Sequence, residues 1–164
     1  MEERITEALS WITSVLRSHG IPFQAVGGLA ARGYGATRPL VDLDFYISEE
    51  GLATLLEEVS PWVRRAPAHH EDEYWSLTFA QLRYAGVKIE LGVADGARYW
   101  NSKESTWEEA RVDFDASEVR PVAGIEVPLM PRDQLVEYKK ALDRPVDRID
   151  LVEMLQARKG AGGE

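Results

Sequence analysis

The chain has 164 residues, 45% of them hydrophobic and 29% charged, the size of one globular domain with an adequate core. It contains no cysteine, which excludes disulfides and thiolate metal sites and leaves oxygen or histidine to hold any metal. The net charge of -9, from 28 acidic against 19 basic residues, argues against a long nucleic-acid footprint, although a cationic small molecule would be attracted.

Ile5, Leu9, Ile12, Val15 and Leu16 recur at helical spacing between Glu3 and His19, and Gly20 stops that helix. No apolar run is long enough for a membrane span. The opening Met-Glu-Glu-Arg-Ile lacks a basic region followed by an apolar block, so a cytoplasmic location away from membranes is expected. Phe23 to Val26 then reads as a strand running into Gly27-Gly28 and a short helix through Leu29 to Arg32. Helix-start amides lack internal acceptors, and glycine lets a bulky anion approach the backbone, so this junction suits phosphate.

The second strand, Val41 to Ile47, places Val41, Leu43, Phe45 and Ile47 on one face and Asp42 and Asp44 together on the other. Carboxylates two strand steps apart, roughly 7 Å along the backbone, can converge on divalent cations and repel each other without them. Ser48 is placed to cap a helix from Glu49 to Val59, closed by Pro61. A strand over Trp62 to Ala66 and a polar loop over Pro67 to Glu73 follow. His69 and His70 lack a third partner at motif spacing and carry no metal assignment.

Tyr74 to Tyr84 and Val87 to Val93 flank Ala85-Gly86 as a hairpin. In the second of these strands Lys88, Glu90 and Gly92 share the face opposite Val87, Ile89, Leu91 and Val93. Beyond it the pattern gives a loop from Asp95 to Thr106, with a helical turn over Ser105 to Ala110. Short strands are expected near Val112 to Phe114, Val119 to Val122 and Ile125 to Leu129. The tryptophans are read as core anchors, Trp100 being the exception placed to stack on a ligand. Helices from Pro131 to Leu142 and Val146 to Leu155 close an ordered unit of residues 1–157, in which 131–157 form a helix pair. Residues 158–164 read as a flexible tail.

The apolar-Gly-Gly pair, a gap of thirteen residues and then Asp-apolar-Asp-apolar resemble the signature of the nucleotidyltransferase superfamily with the DNA polymerase beta fold. Val26-Gly-Gly-Leu-Ala and Thr37-Arg-Pro-Leu-Val-Asp-Leu-Asp-Phe are most similar to the small aminoglycoside and lincosamide nucleotidyltransferase branch. Leu135 to Leu151 resembles the lysine-, arginine- and aspartate-bearing helix pair that closes such proteins. The resemblance implies an α+β fold, a mixed twisted sheet flanked by helices with a C-terminal helix pair.

It also implies transfer of a nucleoside monophosphate from a nucleoside triphosphate, ATP foremost, to a hydroxyl of an unidentified small-molecule acceptor, a cationic one suiting the acidic chain, with release of pyrophosphate. Asp42, Asp44 and Glu90 would be the catalytic, metal-binding carboxylates, holding two Mg2+ ions or Mn2+ in their place. Asp95 is the alternative third carboxylate, though its parity sets it on the other strand face. Gly27, Gly28, Arg38 and Lys139 would bind the nucleotide, and Asp147 and Asp150 would organise the helix pair. Many relatives carry Gly-Ser where Gly27-Gly28 stands, so Arg38 is expected to supply the missing phosphate grip, with Arg32 the weaker choice. The alternative function is an antitoxin or regulatory binding protein on the same fold.

Overall fold

A computed structural model describes residues 2–162. The amphipathic N-terminal segment forms α1 (Glu2–Ser18), burying Ile5, Leu9, Ile12 and Leu16. It is followed by β1 (Phe23–Ala25), the short α2 (Gly27–Gly33) and β2 (Asp42–Ile47). Ser48 caps α3 (Glu49–Val59) by accepting a hydrogen bond from the Gly51 amide at 2.9 Å. One 3-10 turn, Ser60–Trp62, carries Pro61 and leads into β3 (Val63–Glu71).

Here the structure departs from the sequence pattern. β3 runs through the segment read as a polar loop, because its backbone pairs with β4 (Trp75–Tyr84) from Val63 to Glu71. Only Asp72 to Tyr74 turn the chain, with Asp72 Oδ1 accepting from the amides of Tyr74 and Trp75 at 2.8 Å each. β4 continues into β5 (Val87–Val93) across the expected Ala85-Gly86 turn. The stretch after it is a second hairpin, β6 (Arg98–Asn101) and β7 (Thr106–Glu109), in place of the expected loop and helical turn. Its cross-strand Trp100 and Trp107 meet edge to face at 5.4 Å, an aromatic pair that stabilises the hairpin. Val112 to Phe114 is not a strand, and Phe114 begins a 3-10 turn capped by Asp113.

β8 (Glu118–Val122) and β9 (Ile125–Leu129) form the last hairpin, followed by α4 (Arg132–Leu142) and α5 (Pro145–Gly162). Pro131 is the residue before α4 rather than its first helical position. α5 stays helical to Gly162, past the point where a flexible tail was expected, while Gly163 and Glu164 of that tail lie outside the described residues.

The strands make one mixed sheet in the order β7-β6-β4-β5-β2-β1-β9-β8, with β3 added on β4. β2 is antiparallel to β1 and parallel to β5, so the acidic strand is central, with the glycine strand on one side and the Glu90 strand on the other. Leu43, Phe45, Ile47, Ile89, Leu91 and Val93 are buried in the core, which obliges the alternate residues of β2 and β5 to share the opposite face. α1 and α3 pack on β5, while α2 touches β2, α4 and α5. No described helix is long and apolar enough to cross a membrane.

Candidate active site

Strand register brings the three acids together. Asp44 stands opposite Glu90 and Asp42 opposite Lys88, so residues distant in sequence share one face of two paired strands. Ligand oxygens of Asp42, Asp44 and Glu90 lie within 4.8 Å of one another, the one such group among the described residues. Asp95 is elsewhere, its Oδ1 accepting from the Glu49 amide at the start of α3 at 3.2 Å.

Asp44 is the most constrained of the three. Its Oδ1 is closed to solvent and accepts no hydrogen bond, while the rest of the residue is half-buried. Burial, then the charges of Asp42 and Glu90, hold its carboxyl well above the ordinary 3.8. An unpartnered anionic oxygen beside two further carboxylates is the donor set that a hard divalent cation takes, so the residues fit such an ion. Lys88 offsets part of the charge, its ammonium 3.5 Å from Asp42 Oδ2 and 3.3 Å from Glu90 Oε1. Burial draws the Lys88 pKa down, but Glu90 and Asp42 outweigh it and leave it raised.

The glycine pair is fixed against these acids by the Val26 amide, which donates to the Asp44 carbonyl at 3.0 Å. Gly27 has φ +59, and a Cβ there would sit 3.1 Å from Asp44 Oδ2. Both facts favour glycine over any residue with a side chain. A Cβ on Gly28 would lie 3.0 Å from Arg38 Nη2, so the guanidinium occupies the space that a side chain at position 28 would take. Arg38 donates to Asp150 through Nε at 3.1 Å and Nη2 at 2.9 Å. Arg32 supports it from behind, donating to the Arg38 carbonyl at 2.8 Å.

Lys139 is placed otherwise than the sequence suggests. It is fully buried, its ammonium 3.1 Å from Asp147 Oδ1 and 3.0 Å from Asp150 Oδ2, and it does not line the cavity. Asp147 in turn accepts from Arg144 Nε at 2.8 Å and Nη2 at 3.0 Å. The result is a chain of alternating charge, Arg38, Asp150, Lys139, Asp147, Arg144, in which one buried lysine locks two aspartates and each aspartate orients a guanidinium. Burial raises the Asp150 carboxyl, but its bonds to Arg38 and Lys139 outweigh that and hold it below the usual range.

Both guanidinium groups reach one cavity of about 420 Å³. Gly27, Gly28, Asp42, Asp44, Lys88 and Glu90 line it too, as do Val41, Trp75, Phe79 and Tyr138. Arg144 lies 4.8 Å over the Trp75 ring, and Trp75 Nε1 donates to the Tyr138 hydroxyl at 2.6 Å. His70 reaches the cavity as well, paired with Asp72 at 2.8 Å. Trp75 is therefore the tryptophan at the site, and Trp100 belongs to the second hairpin.

Sequence reasoning missed Arg144, His70 and Trp75. A cation beside the Pro145 break was a usable signal for Arg144. The other two depend on where β3 and β4 cross the sheet.

No family model and no curated protein matches the sequence, but solved structures match the fold. A Thermotoga maritima protein described as a candidate nucleotidyltransferase superposes with TM-score 0.67 at 22% identity, over 98% of this chain and 94% of that one. The fold is that of the nucleotidyltransferases. Two further structures share this nucleotidyltransferase fold. The lincosamide antibiotic adenylyltransferase LnuA, solved with lincomycin, gives TM-score 0.62 at 9% identity over 92% of this chain and 96% of its own. ANT(2'')-Ia in complex with adenylyl-2''-tobramycin gives 0.59 at 15% over 95% and 90%.

Proposed function

We propose that the chain is a metal-dependent nucleotidyltransferase that moves a nucleoside monophosphate from ATP to a hydroxyl of a small molecule. The observation that carries this reading is the convergence of Asp42, Asp44 and Glu90 beside the Gly27 turn, with Asp44 Oδ1 buried and unpartnered. The likeness to two adenylyltransferase structures supports it.

Asp42 and Asp44, with Glu90 beside them, would hold Mg2+, which when bound supplies charge neutralisation at the reacting phosphoryl group. The protein's own residues position the rest. Gly27 and Gly28 leave room for the triphosphate at the backbone, and Arg38 and Arg144 present guanidinium groups to its oxygens from fixed directions. Their pinning by Asp150 and Asp147 means little side-chain freedom is lost on binding. Glu90, at the edge of the acid group, accepts the proton of the acceptor hydroxyl. The acceptor oxygen bonds to the α-phosphorus, the bond from that phosphorus to the bridging oxygen breaks, and pyrophosphate leaves with the electron pair. The acceptor is read as cationic from the net charge of -9 carried by the chain.

The deciding experiment is a thermal shift with each nucleoside triphosphate, with and without Mg2+, on the natural protein and on Asp44→Asn. Magnesium-dependent stabilisation by ATP in the natural protein alone is expected. Equal stabilisation of both proteins, or of neither, ends the proposal.

A regulatory or antitoxin-type binding role is the second reading. It is favoured by Ile149, Val152 and Leu155, each at least 50% exposed at three-residue spacing on α5. Stable co-purification with a protein partner, lost on Val152→Glu, is the outcome it requires.

A further inference from the structure

The parallel pairing of β2 and β5 builds a cation into the acid group itself. The same register that sets Glu90 opposite Asp44 sets Lys88 opposite Asp42, so all four side chains share one face. The Lys88 ammonium is within 3.5 Å of Asp42 and 3.3 Å of Glu90, and it forms no ion pair with Asp44. Asp44 instead keeps a solvent-closed Oδ1 without a partner, while its Oδ2 faces the Gly27 bend. The group therefore has two unlike ends. Between Asp42 and Glu90 the charge is already met by a tethered ammonium, whereas at Asp44 it is not.

We propose that the site takes a single divalent cation, at the Asp42 and Asp44 end, and that the Lys88 ammonium occupies the place of the second ion of a two-ion centre. The inference rests on the nucleotidyl-transfer reading above. Charge favours it, because three carboxylates less one ammonium leave two negative charges, the complement of one Mg2+. Geometry favours it as well. A second ion between Asp42 and Glu90 has to displace the ammonium from both carboxylates, and the strand register anchors the Lys88 backbone opposite Asp42, so the ammonium stays tethered within reach of them. A ligand held on the same chain competes at high effective concentration, while a free ion competes only at its bulk concentration. An ammonium supplies charge and hydrogen-bond donors but no open coordination position. The acceptor hydroxyl therefore meets Glu90 and Lys88 on that side.

The test counts Mn2+ bound per chain by equilibrium dialysis against Mn2+ and saturating α,β-methylene-ATP, as the metal held with the protein in excess of that in the dialysate. The natural protein and Lys88→Arg, which keeps a cation at this position, are expected to bind about one ion, and Lys88→Gln about two. Lys88→Ala makes the same comparison if the glutamine variant does not fold. Two ions in the natural protein, or one in both charge-removing variants, overturn the proposal and leave nucleotidyl transfer standing. Nucleotidyl transfer itself fails, and this proposal with it, if the analogue does not bind the natural protein or binds Asp44→Asn equally well.

Discussion

Asp44 is costly to keep ionised in the absence of a metal. Its carboxyl is held above the ordinary 3.8, first by burial and then by Asp42 and Glu90, so the folded chain retains that proton to higher pH than the unfolded chain does. An acid whose folded pKa is raised subtracts stability as pH climbs from about 4 through the raised value. In EDTA the natural protein is therefore expected to lose denaturant resistance across that window, while Asp44→Asn gives a flatter profile and greater stability at neutral pH. The same substitution is expected to lower nucleotidyl transfer by at least about 10²-fold, since it removes a carboxylate from the ion's ligands. Activity and metal-free stability then move in opposite directions, and a pair of urea titrations with a transfer assay checks both.

The two glycines separate in the same way. Gly27→Ala meets both a positive φ and the Asp44 carboxylate, and is expected to cost about 1–2 kcal/mol from the left-handed backbone alone. Gly28→Ala meets no backbone strain but crowds the Arg38 guanidinium against its Asp150 anchor. Its stability cost is expected to stay below about 1 kcal/mol, with weaker nucleotide binding as the main effect. Urea denaturation and nucleotide titration of the two variants distinguish them.

At the scale of elements, the helix pair is a scaffold for guanidinium groups. Lys139→Met leaves Asp147 and Asp150 facing each other without the cation between them, and a loss of about 3–5 kcal/mol in urea unfolding is expected. The glycine turn, the acidic strand and the Glu90 strand were legible in sequence because each rests on local pattern: period-two alternation, or a strand giving way to paired glycines and a helix. The same parity showed Lys88 on the Glu90 face, but its salt bridges needed the inter-strand register. What local pattern misread were β3 beyond Ala66 and the β6–β7 hairpin. Their polar, histidine- and glutamate-rich residues become strands by pairing across the sheet, with no apolar stripe of their own. Lys139 was misread for a related reason. A lysine on an amphipathic helix ordinarily reaches solvent, and only the return of α5 encloses it between two aspartates.

Over the whole molecule, the surplus of acid sets how the cavity meets its ligands. With a net charge of -9, the chain is expected to attract the proposed cationic acceptor and not a neutral one. Raising ionic strength from low to physiological values is expected to lower kcat/KM for a cationic acceptor by roughly tenfold and to leave a neutral acceptor unaffected. Initial rates at fixed nucleotide and varied salt test this.

The alternating charges that join Arg38 to Arg144 also have a consequence in time. Arg38 leaves the ribosome early and its Asp150 anchor more than a hundred residues later, so a half-made chain can carry the glycine bend and the acid pair while the Arg38 guanidinium still lacks its anchor. If the proposed function holds, a full grip on a triphosphate is expected only once α5 folds back and supplies Asp150.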